Sequence, residues 1–286
     1  MLGIGMSETV ATYEPDNCLK KGYSQIFREI GEEIRKNKWL IYQLFRRDFV
    51  SIYRQSLFGI LWAFIVPIVS VGAFLLLGQS GIFITGNTGV PFAVYALLGL
   101  AFWQLFSAGV VASSVSLTQA GSMITKINFS KKALVIASMG KTLVAFIIQL
   151  FLAFLSFALF GVMPNVAIVL TPVLIIPLLL AMLGFGFILS LINVVMRDVG
   201  AFLPIAMTFL LFLTPVMYAA PSTGIMSLLT TYNPLYYMVS LPRDLILTGA
   251  STLWLGFLLS SVLSVVMFVV CLVAFHLTET RLSERI

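Results

Sequence analysis

From Thr142 to Met196 the chain reads TLVAFIIQLFLAFLSFALFGVMPNVAIVLTPVLIIPLLLAMLGFGFILSLINVVM, without one charged residue. A helix crosses the hydrocarbon core of a bilayer with about 20 apolar residues, so this stretch holds more than one crossing, divided where Gly161 to Asn165 interrupts the apolar run. A second charge-free run extends from Gln55 to Thr125 and must likewise be divided. Around these runs the whole chain of 286 residues is 60% hydrophobic and 10% charged, where a soluble domain carries about 25% charge. Its mean hydropathy is +1.05. These values exclude an ordinary water-soluble enzyme and predict an all-α polytopic membrane protein.

Apolar runs read against breakers give six transmembrane segments: Ser56 to Leu77, Val90 to Ala112, Ala133 to Phe160, Val166 to Ile192, Ala201 to Tyr218 and Thr252 to Phe275. The domain expected at 56–276 is thus a six-helix membrane domain, with a cytosolic tail at 1–23, amphipathic helices at 24–55 and a short cytosolic tail at 277–286. The connections Gly78 to Gly89 and Gly161 to Asn165 carry no charge, whereas those after the second and fourth segments carry Lys126, Lys131, Lys132 and Arg197. Basic loops stay on the cytoplasmic side, which places both termini there.

Nine of the seventeen Lys and Arg precede Gln55. The net charge of +6 therefore reads as attraction to anionic headgroups or as topology signalling, not as nucleic-acid binding. Between Ser24 and Asn37, Ile26, Ile30 and Ile34 recur four apart among charged residues, which predicts a surface amphipathic helix. Trp39 to Tyr53 is aromatic and aliphatic with Arg46, Arg47 and Arg54 near one face, which predicts a helix in the cytoplasmic interface. The connection Ala219 to Ser251 is too apolar for a solvated loop. It is expected to form two short helices, either re-entrant or lying at the headgroups.

Chemistry-bearing residues are few. The single histidine, His276, stands at the edge of the last segment, and Asp198 and Asp244 each adjoin an arginine on opposite sides of the membrane, so no acid/base pair forms. Gly140-Lys141-Thr142 mimics the end of a phosphate loop, but Val135 replaces its first glycine and no strand precedes it. Cys18 and Cys271 have no metal or disulfide spacing. No metal site, no cofactor and no enzymatic activity is expected of this chain.

Arg47-Asp48 followed by Tyr53-Arg54-Gln55-Ser56-Leu57-Phe58-Gly59-Ile60-Leu61-Trp62 and Pro67 resembles the entry to the membrane domain of ABC-2 type exporters for polysaccharides and polyol phosphates. Asn193-Val194-Val195-Met196-Arg197-Asp198-Val199, Thr214-Pro215-Val216-Met217-Tyr218 and Asn233-Pro234-Leu235-Tyr236-Tyr237 with Arg243 resemble later segments of that family, in the same order. One segment, Met123 to Phe129, is similar too, although Ala120 and Ser130 replace residues common there.

The resemblance implies the ABC-2 (type V) exporter fold in a bacterial cytoplasmic (inner) membrane. It also implies a homodimer docked on two copies of an ATPase subunit that binds ATP and Mg, and export of an undecaprenyl-linked polysaccharide such as an O-antigen, capsular or teichoic-type glycan. A sister permease for a drug or lipid, or a channel or scaffold without ATP coupling, are the alternatives.

Under this reading Arg47, Arg54, Ser56, Leu57, Phe58 and Gly59 receive the lipid-linked headgroup, with Arg54 either pairing with pyrophosphate or snorkelling to ordinary lipid phosphate. The aromatic residues Tyr95, Phe102, Trp103, Phe106, Phe202, Phe209, Phe212 and Tyr218 either line the glycan passage or pack against lipid and core. Met123, Ile124, Lys126 and Ile127 contact the ATPase, and Pro234, Tyr236, Tyr237 and Arg243 form an external gate.

Overall fold

The computed structural model describes residues 23–53, 61–79, 89–121, 130–221 and 223–282. Among the described residues it is all-helical and no strand occurs. Two helices precede the apolar bundle, α1 (Tyr23–Lys36) and α2 (Lys38–Tyr53). Asn37 joins them, its side-chain amide donating to the Glu33 carbonyl at 2.8 Å. Ile26 and Ile30 of α1 are buried in one cluster with Leu44 of α2, Leu117, Leu134 and Phe275. The apolar edge of α1 therefore packs on protein. α2 likewise presses Leu44 inward and leaves Trp39 and Tyr42 exposed.

The bundle consists of α3 (Trp62–Gln79), α4 (Phe92–Ser114), the single turn α5 (Ser116–Gln119) and α6 (Lys131–Phe160). There follow α7 (Thr171–Leu174), α8 (Ile176–Val195), α9 (Asp198–Leu213), α10 (Ile225–Tyr232), α11 (Pro234–Thr248) and α12 (Trp254–Leu282). Among the described residues four helical stretches have the length and apolarity to cross a membrane: Phe92–Ser114, Lys131–Phe160, Val166–Val195 and Trp254–Glu279. Two shorter apolar helices, Phe64–Ala73 and Asp198–Leu213, occupy the places of the first and fifth predicted segments.

α4 is the central element, packed against α6 and α8, while α12 lies along α8 and α2 along α6. Its Val94, Leu98, Phe102, Phe106 and Val110 are almost wholly buried. The outer helices instead show apolar residues such as Leu159, Val173 and Leu255 to the exterior, the arrangement expected where the surrounding solvent is lipid.

Prolines set the irregular places. The fourth segment starts as a 3-10 turn (Val166–Leu170) and a short helix before α8 begins at Ile176, with a proline in the first turn of each α-helical piece. A proline there lacks only an N–H that the helix start leaves unused. α9 ends at Leu213, and Thr214 turns to extended backbone. Pro215 disfavours helical backbone in the residue before it. The fifth predicted segment therefore leaves its helix over Thr214 to Tyr218. At 16 residues, α9 is about 24 Å long, shorter than the hydrocarbon core.

Candidate functional site

Arg243 of α11 is 2% exposed. Its guanidinium donates to the carbonyl of Val216 at 2.8 Å and that of Pro215 at 3.4 Å, and to Ser240 Oγ at 3.1 Å. Nε pairs with Asp244 at 3.3 Å. The same guanidinium lies 3.9 Å from the ring centroid of Tyr95 on α4, close enough for cation–π attraction. Tyr95 donates its hydroxyl to the Tyr218 carbonyl at 3.3 Å, and Tyr218 donates to the Phe212 carbonyl at 2.6 Å.

The backbone groups that Pro215 frees from the helix are thus met by a rigid cationic fork, the role for which arginine suits better than lysine. Asn233 completes the node: its side chain caps α11 by accepting from Leu235 N–H at 3.0 Å and donates to Thr214 Oγ1 at 2.8 Å. Pro234 opens α11. Tyr236 and Tyr237 meet edge to face at 5.0 Å.

Seven of the eight aromatic residues expected along a passage separate into two groups, and Tyr218 is half-buried. Tyr95, Phe102, Trp103 and Phe106 are buried in the core, with Phe102 against Phe146 and Phe106 against Phe185. Phe202, Phe209 and Phe212 are exposed on α9. Trp103 alone of the eight borders a cleft of about 350 Å³ between α3, α4 and α9, whose polar walls come from Ser70, Gln104, Ser107 and Thr208.

Arg47 pairs with its neighbour Asp48, Nε to Oδ1 2.9 Å. Arg54, Ser56, Leu57, Phe58 and Gly59 lie outside the described residues, as do Met123, Ile124, Lys126 and Ile127.

An ionic cluster joins three elements on the side opposite the Arg243 node. Lys132, in the first turn of α6, is 1% exposed and its Nζ lies 2.8 Å from Glu33 Oε2 of α1. It also pairs closely with Glu279 of α12. Lys131 donates its backbone N–H to Glu279 Oε1 at 2.8 Å and its ammonium to the Glu279 carbonyl at 2.7 Å. Burial works against charge on Glu33, yet its polar and cationic neighbours, the hydrogen-bonded Lys132 foremost, together hold the carboxyl below its usual range. Donor atoms of Glu33, His276 and Glu279 lie within 4.8 Å of one another, a spacing open to a cation. The Lys132 ammonium already supplies that positive charge.

The family model for ABC-2 type transporters matches residues 40–247.

The chain belongs to the ABC-2 type transporter family.

Among curated proteins, an O-antigen export system permease protein RfbA from Myxococcus xanthus is 26% identical over 224 residues, covering 73% of this chain and 85% of the relative. An RfbA permease from Klebsiella pneumoniae is 23% identical over 213 residues, covering 73% and 81%. A second K. pneumoniae protein of that name is 23% identical over 215 residues with the same coverage.

Within this ABC-2 membrane permease two sequence motifs acquire definite work. Asn193 is 2% exposed and donates to the Ser114 carbonyl at 3.2 Å and Thr118 Oγ1 at 3.3 Å, while accepting from Gly200 N–H at 2.8 Å. It fastens the end of α8 to α5 and to the start of α9. Gly140, which in the sequence mimics a phosphate loop, lies inside α6 under Phe45 of α2. A Cβ there would fall 2.2 Å from the ring.

Sequence alone does not reveal Glu33, Lys132 and Glu279 as a cluster. The adjacent lysines are visible, but as loop charges; their opposite charges lie 99 and 147 residues from Lys132.

Proposed function

We propose that this chain is the membrane-spanning permease of an ATP-driven exporter that moves an undecaprenyl-linked polysaccharide, of O-antigen, capsular or teichoic type, outward across the bacterial cytoplasmic membrane. The observation that carries this reading is the likeness to permeases named for O-antigen export over nearly three quarters of the chain. The cleft beside Trp103 adds to it: its walls mix apolar surface with uncharged polar groups, and a polymer must be contacted without being held by fixed charge.

In this reading two copies of the chain face each other, and each docks on one of two ATPase subunits that carry ATP and Mg. Both termini and the connection from about Val115 to Lys132 lie in the cytoplasm. Met123, Ile124, Lys126 and Ile127 receive the ATPase motion. The Arg243 node, with Pro234, Tyr236 and Tyr237, lies at the external end, where it holds the exit of α9 in place. Arg47 and Arg54 meet the lipid pyrophosphate.

Reconstitution of the chain with its ATPase in proteoliposomes tests the assignment. ATP-dependent movement of a lectin-detectable, lipid-linked glycan is expected. Movement of a drug or lipid with no glycan transport would select the sister permease, and flux independent of ATP would reject an ABC exporter.

A further inference from the structure

Gln149 of α6 is 6% exposed and donates its amide to Gln104 Oε1 at 2.6 Å, whereas its own buried oxygen has no hydrogen-bond partner among the described residues. An unmet buried carbonyl in an apolar helix is destabilising, and two apolar side chains of like shape would pack at less cost. The pair is explained by what it does to Gln104, which stands midway along α4 and borders the cleft between α3, α4 and α9.

A primary amide has one oxygen and one NH2 group. With its oxygen tied to α6, Gln104 keeps its NH2 for the cleft, as a donor. Ser70 and Thr208 border the same cleft, and their hydroxyl protons are committed to the carbonyls of Val66 and Pro204, each at 2.9 Å. They therefore offer lone pairs. Ser107, one turn from Gln104, offers a hydroxyl able to act either way. Among the described residues none that borders the cleft is charged.

This set of donors and acceptors discriminates among ligands. A phosphate or an ammonium finds no opposite charge, and a lipid tail leaves the Gln104 donor and the hydroxyl acceptors unmet. A sugar hydroxyl, which both gives and accepts a hydrogen bond, satisfies them. We propose that Ser70, Gln104, Ser107 and Thr208 form a subsite for an uncharged polyhydroxylated chain, and that Gln149 is the positioning residue that turns the Gln104 amide toward it. The proposal deepens the glycan-export reading and rests on it.

The test uses the full chain with its ATPase in nanodiscs, Cys18 and Cys271 replaced by alanine, and the reporter Ala108→Cys on the cleft wall. The rate of reaction with a small methanethiosulfonate reagent is measured with and without maltoheptaose, the uncharged polyol probe, and separately with undecaprenyl phosphate. Maltoheptaose is expected to slow the reaction severalfold and undecaprenyl phosphate to leave it unchanged. The maltoheptaose effect should be lost in Gln104→Met and in Gln149→Met, and the double variant should lose no more than either alone.

Absence of protection by maltoheptaose, protection by the lipid alone, or protection that survives both substitutions would each overturn the subsite. Should Gln149→Met fail to assemble, Gln104→Met alone tests the subsite, and Gln149→Asn, too short to hold the bond, tests the positioning. Glycan export by the parent protein is scored in parallel. Export without protection removes the subsite and keeps the exporter; protection without export does the reverse.

Discussion

The Arg243 guanidinium donates to the main-chain oxygen of Val216 at 2.8 Å across 27 residues of sequence. That bond ties a helix of the apolar connection to the stretch where α9 has just ended, and the Tyr95 ring beneath it ties both to the central helix α4. An arginine so placed holds a bend in the backbone. Its removal leaves two carbonyls without their donor.

Arg243→Ala is expected to lower stability by about 1 to 3 kcal/mol, the cost of leaving buried acceptors unmet, and to abolish export. Arg243→Lys keeps the charge but not the fork, so its stability should fall between the two. Thermal unfolding of nanodisc-embedded protein measures this. Equal melting of the lysine and parent proteins would show that geometry at this node is unimportant.

Gly99 and Gly72 make a paired prediction. A Cβ at Gly99 would fall 2.2 Å from the Val216 oxygen, a main-chain atom already held by Arg243, whereas nothing lies within 4 Å of one at Gly72. Gly99→Ala should therefore displace the Thr214 to Tyr218 segment and cut export sharply. Gly72→Ala should be tolerated and stabilise α3 by up to about 1 kcal/mol through helix propensity. Export assays at matched protein levels check both.

The Lys132 cluster predicts an acid-sensitive attachment of α1. Glu33 titrates below its usual value, so its contribution is fully present above that value, near 4.5, and is lost as pH falls through the lower folded pKa. Protease cleavage between α1 and α2 should rise below that point. Glu33→Gln should remove the acid-dependent part and show raised cleavage already at neutral pH. Lys132→Met removes the cation that bridges Glu33 and Glu279 and leaves only the Lys131 ammonium, which sits at the Glu279 carbonyl. Since Glu33 keeps 28% of its side-chain surface, the cost should lie at or below the lower end of the about 3–5 kcal/mol for a broken buried pair.

Orientation is testable by thiol labelling. Cysteines within Gly78 to Gly89 or at Ser222 should react with an impermeant reagent added outside cells, and cysteines at Lys126 or Arg197 should not, because basic loops stay inside. External labelling at position 126 would invert the assignment.

Coupling to the ATPase is expected to run through the connection from about Val115 to Lys132. Met123→Asp and Ile124→Asp would each bury an unpaired charge at that contact, costing several kcal/mol, and should reduce co-purification of the ATPase. Normal binding and export in both variants would move the coupling role to α1.

Much of this architecture is legible along the chain. Charge-free runs of more than twice a bilayer's thickness announce several crossings, the isoleucines four apart announce α1, and the order of the short motifs announces the ABC-2 family. The apolar connection before α12 likewise announces short helices, because so oily a segment has no use for open backbone.

The tertiary structure alone decides which residues meet. α4 is apolar all round, so no periodicity marks the face that buries Phe102 or the one that turns Gln104 to the cleft; only its packing between α6 and α8 does so. Lys131 and Lys132 look like loop charges until α1 and α12 bring Glu33 and Glu279 to them. Gly140 looks like part of a phosphate loop until Phe45 occupies the space above it. Local sequence sets what each helix is made of, because propensity and hydropathy act over a few turns. Partners across the bundle depend on how whole helices pack, which no short stretch encodes.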